Sequence, residues 1–333
     1  MSKARPTIYD VSELAGCSIA TVSRVLNSPE LVKEDTRETV LQAIDELGFI
    51  PKADARDRAR KGIGRIGVIT PFFTLPSFSQ RLRGIASALI DSSYNVSIYP
   101  VDTLDRLESY YTTLPYANQV DGLIIVSLPI DDPSAERFKK NGIPVIFIEN
   151  HIPDFSSIEI DNYFGGQLAA KHFLSKGHTL CAYVGDTVLP EYTLRPEGQR
   201  LAGYRDTLRA SGVNLSEKYI KLPVFPPRDQ AEQVHELLDL DQPPTAVFAA
   251  TDDLALQVLK IARQRNVQVP EELAVIGFDD IDIASYLELT TINQSLGKSG
   301  KLAAKRLMEE IENATGLVEN IFIQLRLIER STT

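Results

Sequence analysis

A chain of 333 residues with 43% hydrophobic and 24% charged residues is long enough for two or three packed domains and has the composition of an ordinary globular protein. Its formal net charge of -10 excludes a general nucleic-acid coat, and two cysteines, Cys17 and Cys181, exclude a framework of disulfides. No run reaches the roughly 18 apolar residues of a membrane span and residues 1–30 hold no signal-peptide core, so the expected location is the cytoplasm, with no membrane.

From Thr7 onward, apolar or small residues recur at Val11, Leu14 and Ala15; a turn at Gly16 follows, and a second run carries Ile19, Val22, Val25 and Leu26. That spacing predicts two short amphipathic helices, with Thr7 placed to cap the first and Ser18 the second. Helices this short do not persist alone in water, so they must pack on a third. The third is predicted from Lys33 to Leu47, with Val40, Leu41, Ile44 and Leu47 on one face and Gly48 as its stop. A second helix that begins with small residues and carries an Arg is what a DNA major groove accepts: side chains meet base edges while hydroxyls hold phosphates. The residues left after packing are Ser18, Ile19, Ala20, Thr21, Ser23, Arg24 and Asn27. Arg24 is the only long donor among them, able to bond guanine O6 and N7 together. The competing reading is a three-helix cap without a ligand.

The same stretch, with Tyr9-Asp-Val11, Ala15-Gly16 and Thr21-Val-Ser-Arg-Val-Leu-Asn27, closely resembles the DNA-binding headpiece of the lactose repressor family of bacterial transcription regulators. The resemblance implies that Ile19, Ala20 and Arg24 read bases. Ser18, Thr21, Ser23 and Asn27 would hold phosphates, with Thr7 in the same DNA-contacting set. Residues 1–65 hold 11 Lys or Arg against 10 Asp or Glu, leaving 24 against 35 in the rest. The acidic body lowers non-specific DNA affinity, so contact must come from cations clustered in the headpiece and linker.

Pro51 breaks the third helix, and residues 52–61 are good helix formers of alternating charge. Alone, such a segment of about ten residues is mostly unfolded. In the family the matching segment folds into a hinge helix on DNA, where leucines from two copies enter the minor groove. Here Arg58 stands where that leucine is expected, Lys52 where an Asn is usual, and Asp54 where an apolar residue joins the two hinges. An Arg is drawn by the negative potential of a narrow minor groove without unstacking a base step. The hinge is therefore expected to bind by charge, through Lys52, Arg56, Arg58, Arg60 and Lys61, and to bend its operator less than relatives do. Gly62-Ile-Gly64-Arg-Ile-Gly67 spells a dinucleotide-binding string, but the strand follows it instead of preceding it, so no nicotinamide or flavin is expected.

Beyond residue 65, strand-like runs at 66–70, 96–101, 122–126, 145–149, 182–185, 246–250 and 274–277 alternate with helical runs. The helical runs are at 79–91, 132–140, 164–175, 198–210, 228–238, 254–264 and 298–312. Nearly continuous apolar strands in repeated β-α units predict parallel sheets covered on both faces. About 265 residues is large for one sheet, so two lobes are expected. Ligands of such sheets sit at the carboxyl ends of strands. There the chain offers the Phe-rich stretch 71–78, Glu149-Asn-His151, Asp161-Asn162, Arg200, Thr251-Asp-Asp253 and Phe278-Asp-Asp280. Aromatic faces, carboxylates and an Arg suit a polyhydroxylated or heterocyclic ligand. For each acidic pair the competing reading is an N-cap on the next helix, most of all for Asp252.

The resemblance extends through this region, on Asp161-Asn-Tyr-Phe-Gly-Gly166, Lys176-Gly-His178, Arg200-Leu-Ala-Gly-Tyr204, Gly277-Phe-Asp-Asp280 and Leu289-Thr-Thr-Ile-Asn-Gln294. It implies the α/β two-lobed, type I fold shared with periplasmic sugar-binding proteins, crossovers near 161–162, 290–293 and the C-terminal region, and a homodimer. Carried over by residue, Arg200 and Asp279 contact the effector. Thr251 replaces an Asn that bonds sugar hydroxyls, Phe72, Phe78 and Phe225 are candidate aromatic walls, and Asn150 completes the set. Thr251 and the Phe-rich first loop speak against a standard hexose.

The four histidines are scattered and make no metal set with a cysteine, and no nucleophile-elbow string occurs, so neither enzyme activity, metal nor cofactor is expected. The expected architecture is an all-α helix-turn-helix headpiece (1–50), a hinge (51–62) and a parallel-sheet effector domain (63–333). Its lobes are expected at about 63–161 with 293–322, and about 162–290 with 323–333. The expected function is a DNA-binding repressor, a homodimer on a pseudo-palindromic double-stranded operator, controlled by a small-molecule effector, a sugar or sugar derivative. The alternatives are a nucleoside- or purine-responsive regulator of the same fold, and a solute-binding protein with no DNA role.

Overall fold

The computed structural model describes residues 6–27, 29–49, 64–117, 119–185, 190–222 and 230–333. The chain opens with α1 (Ile8–Leu14), α2 (Ile19–Asn27) and α3 (Glu34–Leu47). Asp10 reaches back from the first turn of α1 to accept the Thr7 N–H at 2.6 Å and its hydroxyl at 2.7 Å, so the acid closes this end together with Thr7. Ser18 Oγ accepts the Thr21 N–H at 3.1 Å at the start of α2. The α3 helix stops at Gly48, whose φ of 60° is open to glycine without strain. Val11, Val22, Val25, Leu26, Val40, Ala43 and Ile44 are buried together. Leu14, expected on that face, is instead exposed, because the seven-residue α1 ends there, and Cys17 is half-buried.

Two six-stranded sheets follow. The first holds β1 (Gly64–Pro71), β2 (Tyr94–Val101), β3 (Gly122–Val126), β4 (Val145–Ile148), β5 (Ser156–Ile160) and β11 (Asn320–Ile323), in the order β11-β5-β4-β3-β1-β2 and parallel throughout. The second holds β6 (Cys181–Val184), β7 (Ile220–Lys221), β8 (Ala246–Ala249), β9 (Ala274–Asp279), β10 (Thr290–Asn293) and β12 (Arg326–Ile328), in the order β12-β10-β9-β8-β6-β7. Only β12 runs antiparallel, against β10. Central strands such as β3, β4, β6 and β8 are buried along their whole length, as sheets covered on both faces require.

The first sheet is flanked by α4 (Pro76–Leu89), α5 (Leu104–Thr113) and α6 (Asp132–Lys140). The second has α7 (Asn162–Ser175), α8 (Glu197–Ala210), α9 (Gln230–Leu238), α10 (Asp252–Gln264) and the short α11 (Asp282–Tyr286). The chain leaves β10 and returns as α12 (Leu296–Asn313), which buries Ala303, Ala304 and Leu307 against the first sheet. Glycines let paired helices touch backbone to backbone. A Cβ on Gly300 of α12 would lie 2.1 Å from the Arg81 carbonyl of α4, and one on Gly166 of α7 would lie 2.0 Å from the Arg200 carbonyl of α8. Gly64 and Gly67 of the dinucleotide-like string lie within β1, where Tyr94 and Leu123 leave no room for a side chain.

Candidate functional site

Two surfaces carry chemistry. On the headpiece, Val22, Val25 and Leu26 turn α2 inward, leaving Ile19, Ala20 and Arg24 exposed on one side. Ser18 and Thr21 join hydroxyl to hydroxyl at 2.9 Å where α2 begins. Ser23 is half-buried on the same helix, and Asn27 ends it. Thr7 is exposed at the start of α1. The structure thus gathers the predicted DNA-contacting set on and beside α2. The predicted hinge contacts Lys52, Arg56 and Arg58 lie outside the described residues.

The second surface is the cleft where strands of both sheets end. Arg81, from α4, is 3% exposed and donates through Nη2 to Gln294 Oε1 at 2.8 Å and to the Glu149 carboxylate. Ser127 donates to the other Glu149 oxygen, and Gln294 Nε2 donates to Asp279. One continuous network, Ser127–Glu149–Arg81–Gln294–Asp279, therefore crosses from the first lobe to the second. Arg200, also 3% exposed, donates to Asn162 Oδ1 at 2.8 Å and to the Ala250 carbonyl at 2.6 Å, with its guanidinium 3.6 Å above the Phe278 ring. The Gly300 and Gly166 contacts place both guanidiniums by the same device, one in each lobe.

Burial pushes the Asp279 carboxyl up to about 7, against the pull of Arg200, Arg81 and the Gln294 bond. Backbone strain gathers at the same place. Among the described residues, Phe72, Ser127, Glu149, Asp279, Asp280 and Ser295 all have φ between 45° and 122°, and every one sits at a strand end or crossover bordering the cleft. Non-glycine residues adopt that region only where surrounding structure enforces it, commonly at ligand sites. Phe72 meets Phe78 edge-on with centroids 5.9 Å apart and Tyr192 at 6.4 Å, forming one aromatic wall. Beside the network a cavity of about 330 Å³ opens between Glu149 and Asn150 on one side and Asn162, Leu194, Pro196 and Gln199 on the other. A hollow of about 420 Å³ between α5 and α6 is larger, but none of the residues of the cleft network lines it.

Of the predicted effector residues, Phe72, Phe78, Arg200 and Asp279 come together at the cleft, and Phe225 lies outside the described residues. Asn150 borders the cavity and donates one side-chain N–H to the Leu128 carbonyl at 2.9 Å. Thr251 caps α10 by accepting the Leu254 N–H at 3.3 Å. The N-cap expected of Asp252 thus belongs to its neighbour. Asp252 itself is fully buried, accepts the Ile281 N–H at 2.8 Å and the Thr291 hydroxyl, and has its pKa raised by burial. Arg81, Glu149, Gln294 and Tyr192 were not singled out by the sequence. Glu149 and Gln294 fell inside stretches already marked, and the one available signal was their position next to strand ends.

Among the described residues no group of three His, Cys, Asp or Glu is placed to hold a metal ion, and no helix is long and apolar enough to cross a membrane. Residues 7–52 match the family of bacterial regulatory proteins called the lacI family, and residues 170–333 match a periplasmic binding protein-like domain. The chain is similar to catabolite control protein A of Priestia megaterium, with 32% identity over 326 residues covering 96% of each chain. Among solved structures it is similar to the transcriptional regulator CelR–cellobiose complex, at 28% identity with TM-score 0.71, covering 99% of this chain and 100% of that one. It is also similar to the lac repressor dimer bound to operator and the anti-inducer ONPF, at 27% identity with TM-score 0.68, covering 99% of each. A three-helix unit with the outer side of its second helix exposed, two parallel-sheet lobes around a polar cleft, and likeness over nearly the whole length agree, and the chain belongs to the lacI family of bacterial DNA-binding transcriptional regulators, which are not enzymes.

Proposed function

We propose that this regulator is a cytoplasmic repressor that binds a pseudo-palindromic operator as a homodimer and takes a neutral polyhydroxylated effector, a sugar or sugar derivative, between its lobes. Residues 1–50 form the headpiece, 51–62 the hinge and 63–333 the effector-binding and dimerising body. The observation that carries the effector class is that both cleft guanidiniums are already engaged: Arg81 by the Glu149 carboxylate, and Arg200 by the Asn162 side chain and the Ala250 carbonyl. An anionic ligand would have to displace a partner already in place, whereas hydroxyls donate to the acids and accept from the guanidiniums without changing the charge. A cavity of about 330 Å³ stands near the lower end of small-molecule sites, which span roughly 300–1,000 Å³, and so fits a small sugar. The likeness to the CelR–cellobiose complex supports a carbohydrate.

A nucleoside is the second reading, favoured by the aromatic wall of Phe72, Phe78 and Tyr192, on which a base stacks. Two exposed apolar patches support the homodimer, Ile90 with Val96 and Ile98 at the β2 edge, and Ile283, Tyr286 and Leu287 at α11. The effector shifts the relative position of the two first lobes, and that spacing decides whether both headpieces reach adjacent half-sites.

The test is a thermal-shift screen of the full-length protein with neutral sugars, sugar acids and nucleosides. A ligand at about 100 times its Kd stabilises by about 2.7 kcal/mol, a readily measured rise in Tm. The expected result is a rise with a neutral sugar that also changes operator affinity in a gel shift. Response to sugar acids alone overturns the effector class, and response to nucleosides alone installs the second reading.

A further inference from the structure

We infer that the first lobe carries a seat for its own headpiece, built from Tyr116 and Arg137, which grips α3 and leaves the reading face of α2 free. Tyr116 lies in the loop between α5 and β3, outside the headpiece in sequence, yet it is 3% exposed and buried in the headpiece core with Val11, Val40 and Ile44. Its hydroxyl donates to Asp45 Oδ1 of α3, and Arg137, from α6, stands 3.6 Å from Asp45 Oδ2. Both oxygens of one headpiece carboxylate thus face groups of the body.

Asp45 belongs to the last turn of α3, which holds no basic residue. A negative charge is unfavourable at that end of a helix unless a cation outside the helix offsets it. Arg137 is placed to do so. Burial and Asp45 hold the Tyr116 hydroxyl above its ordinary range, so it stays protonated and able to donate. A three-helix unit of about 45 residues also buries little on its own, and an inserted ring adds to a marginal core.

The seat joins the cleft through rigid elements. Tyr116 precedes β3, whose far end leads to Ser127, a member of the cleft network. Arg137 lies in α6, whose far end follows Leu128, the residue that accepts from Asn150. Movement of the first lobe on ligand binding therefore moves the seat and with it the headpiece, without passing through the hinge. Ile19, Ala20 and Arg24 remain exposed while α3 is seated, so the contact orients the reader instead of hiding it.

The test is hydrogen exchange of α3 amides in the full-length protein, without DNA or effector, so its outcome is independent of the effector reading. Tyr116→Phe and Arg137→Ala should each speed exchange in α3 several-fold while exchange in β3 and β4 stays unchanged. Asp45→Arg should do the same, and Asp45→Arg with Arg137→Asp should return exchange toward the original rate. Equal α3 exchange in the parent protein and all single variants overturns the seat, as does a double reversal no slower than Asp45→Arg alone. Because Tyr116→Phe keeps the ring and Arg137 is half-buried beside Asp45 and not part of an apolar core, these variants do not depend on the outcome of a core truncation.

Discussion

Asp279 is the cleft residue whose behaviour is most open to measurement. An isolated Asp titrates near pH 3.9, and burial raises this one to about 7 in the folded chain. The folded protein then holds a proton that the unfolded chain has released, so stability falls as pH rises from about 4 to about 7 and is regained on acidification. Asp279→Asn keeps an oxygen to accept from Gln294 and removes the titration. Its Tm should gain on that of the parent as pH is raised from about 5 to 8. Asp252 is raised by the same cause, so the dependence shrinks without vanishing. Parallel Tm curves for the two proteins would remove Asp279 from this role. Thr251 and Asp252 show a limit at this scale: sequence marks the pair as polar, but only the packed structure assigns one to a helix cap and the other to the backbone of the next strand end.

At the level of elements, the cleft is positioned by two helix pairs, α4 with α12 and α7 with α8, each closed by glycine against the carbonyl of a cleft arginine. Gly166→Ala and Gly300→Ala should each destabilise the body by about 1–3 kcal/mol or more, because the methyl meets backbone that cannot move aside. Gly198→Ala in α8 is the control: nothing lies within 4 Å of its added Cβ, and replacing a helical glycine contributes up to about 1 kcal/mol. Chemical denaturation of the three variants checks this, and three equal midpoints would mean the helix pairs give way easily. The headpiece helices are legible because their period is local and is punctuated by local signals: caps at Thr7 and Ser18, a turn at Gly16 and a stop at Gly48. The central strands were legible as apolar runs. β5, with the sequence Ser-Ser-Ile-Glu-Ile, was not, because its short polar run is completed by β4 and β11 on either side. α5 went unread although Thr103 caps it by accepting the Arg106 N–H at 3.2 Å, a signal the sequence does contain. Nothing in the helical run 79–91 distinguishes Arg81 from the other cation on it, and only the close approach of α12 turns its face of the helix into the interior.

For the whole molecule, the exposed apolar residues of β2 and of α11 lie on different lobes, so in the proposed homodimer a two-fold axis that covered both would fix the direction in which the two headpieces point. A symmetric pair of readers requires a symmetric target, with half-sites spaced by about one helical turn or a multiple of it. Selection from random duplexes should therefore recover an inverted repeat, and Arg24→Ala should relax the preference at one base pair in each half-site together. The expected loss is about 1–3 kcal/mol of discrimination per half-site, read as the ratio of affinities for the selected and the altered duplex at one fixed salt concentration. Because one residue serves both halves, altering the base pair in a single half-site should recover about half of the full effect. A selected site without inverted symmetry, or an unchanged preference in the Arg24 variant, would show that the reading helix meets DNA in some other way.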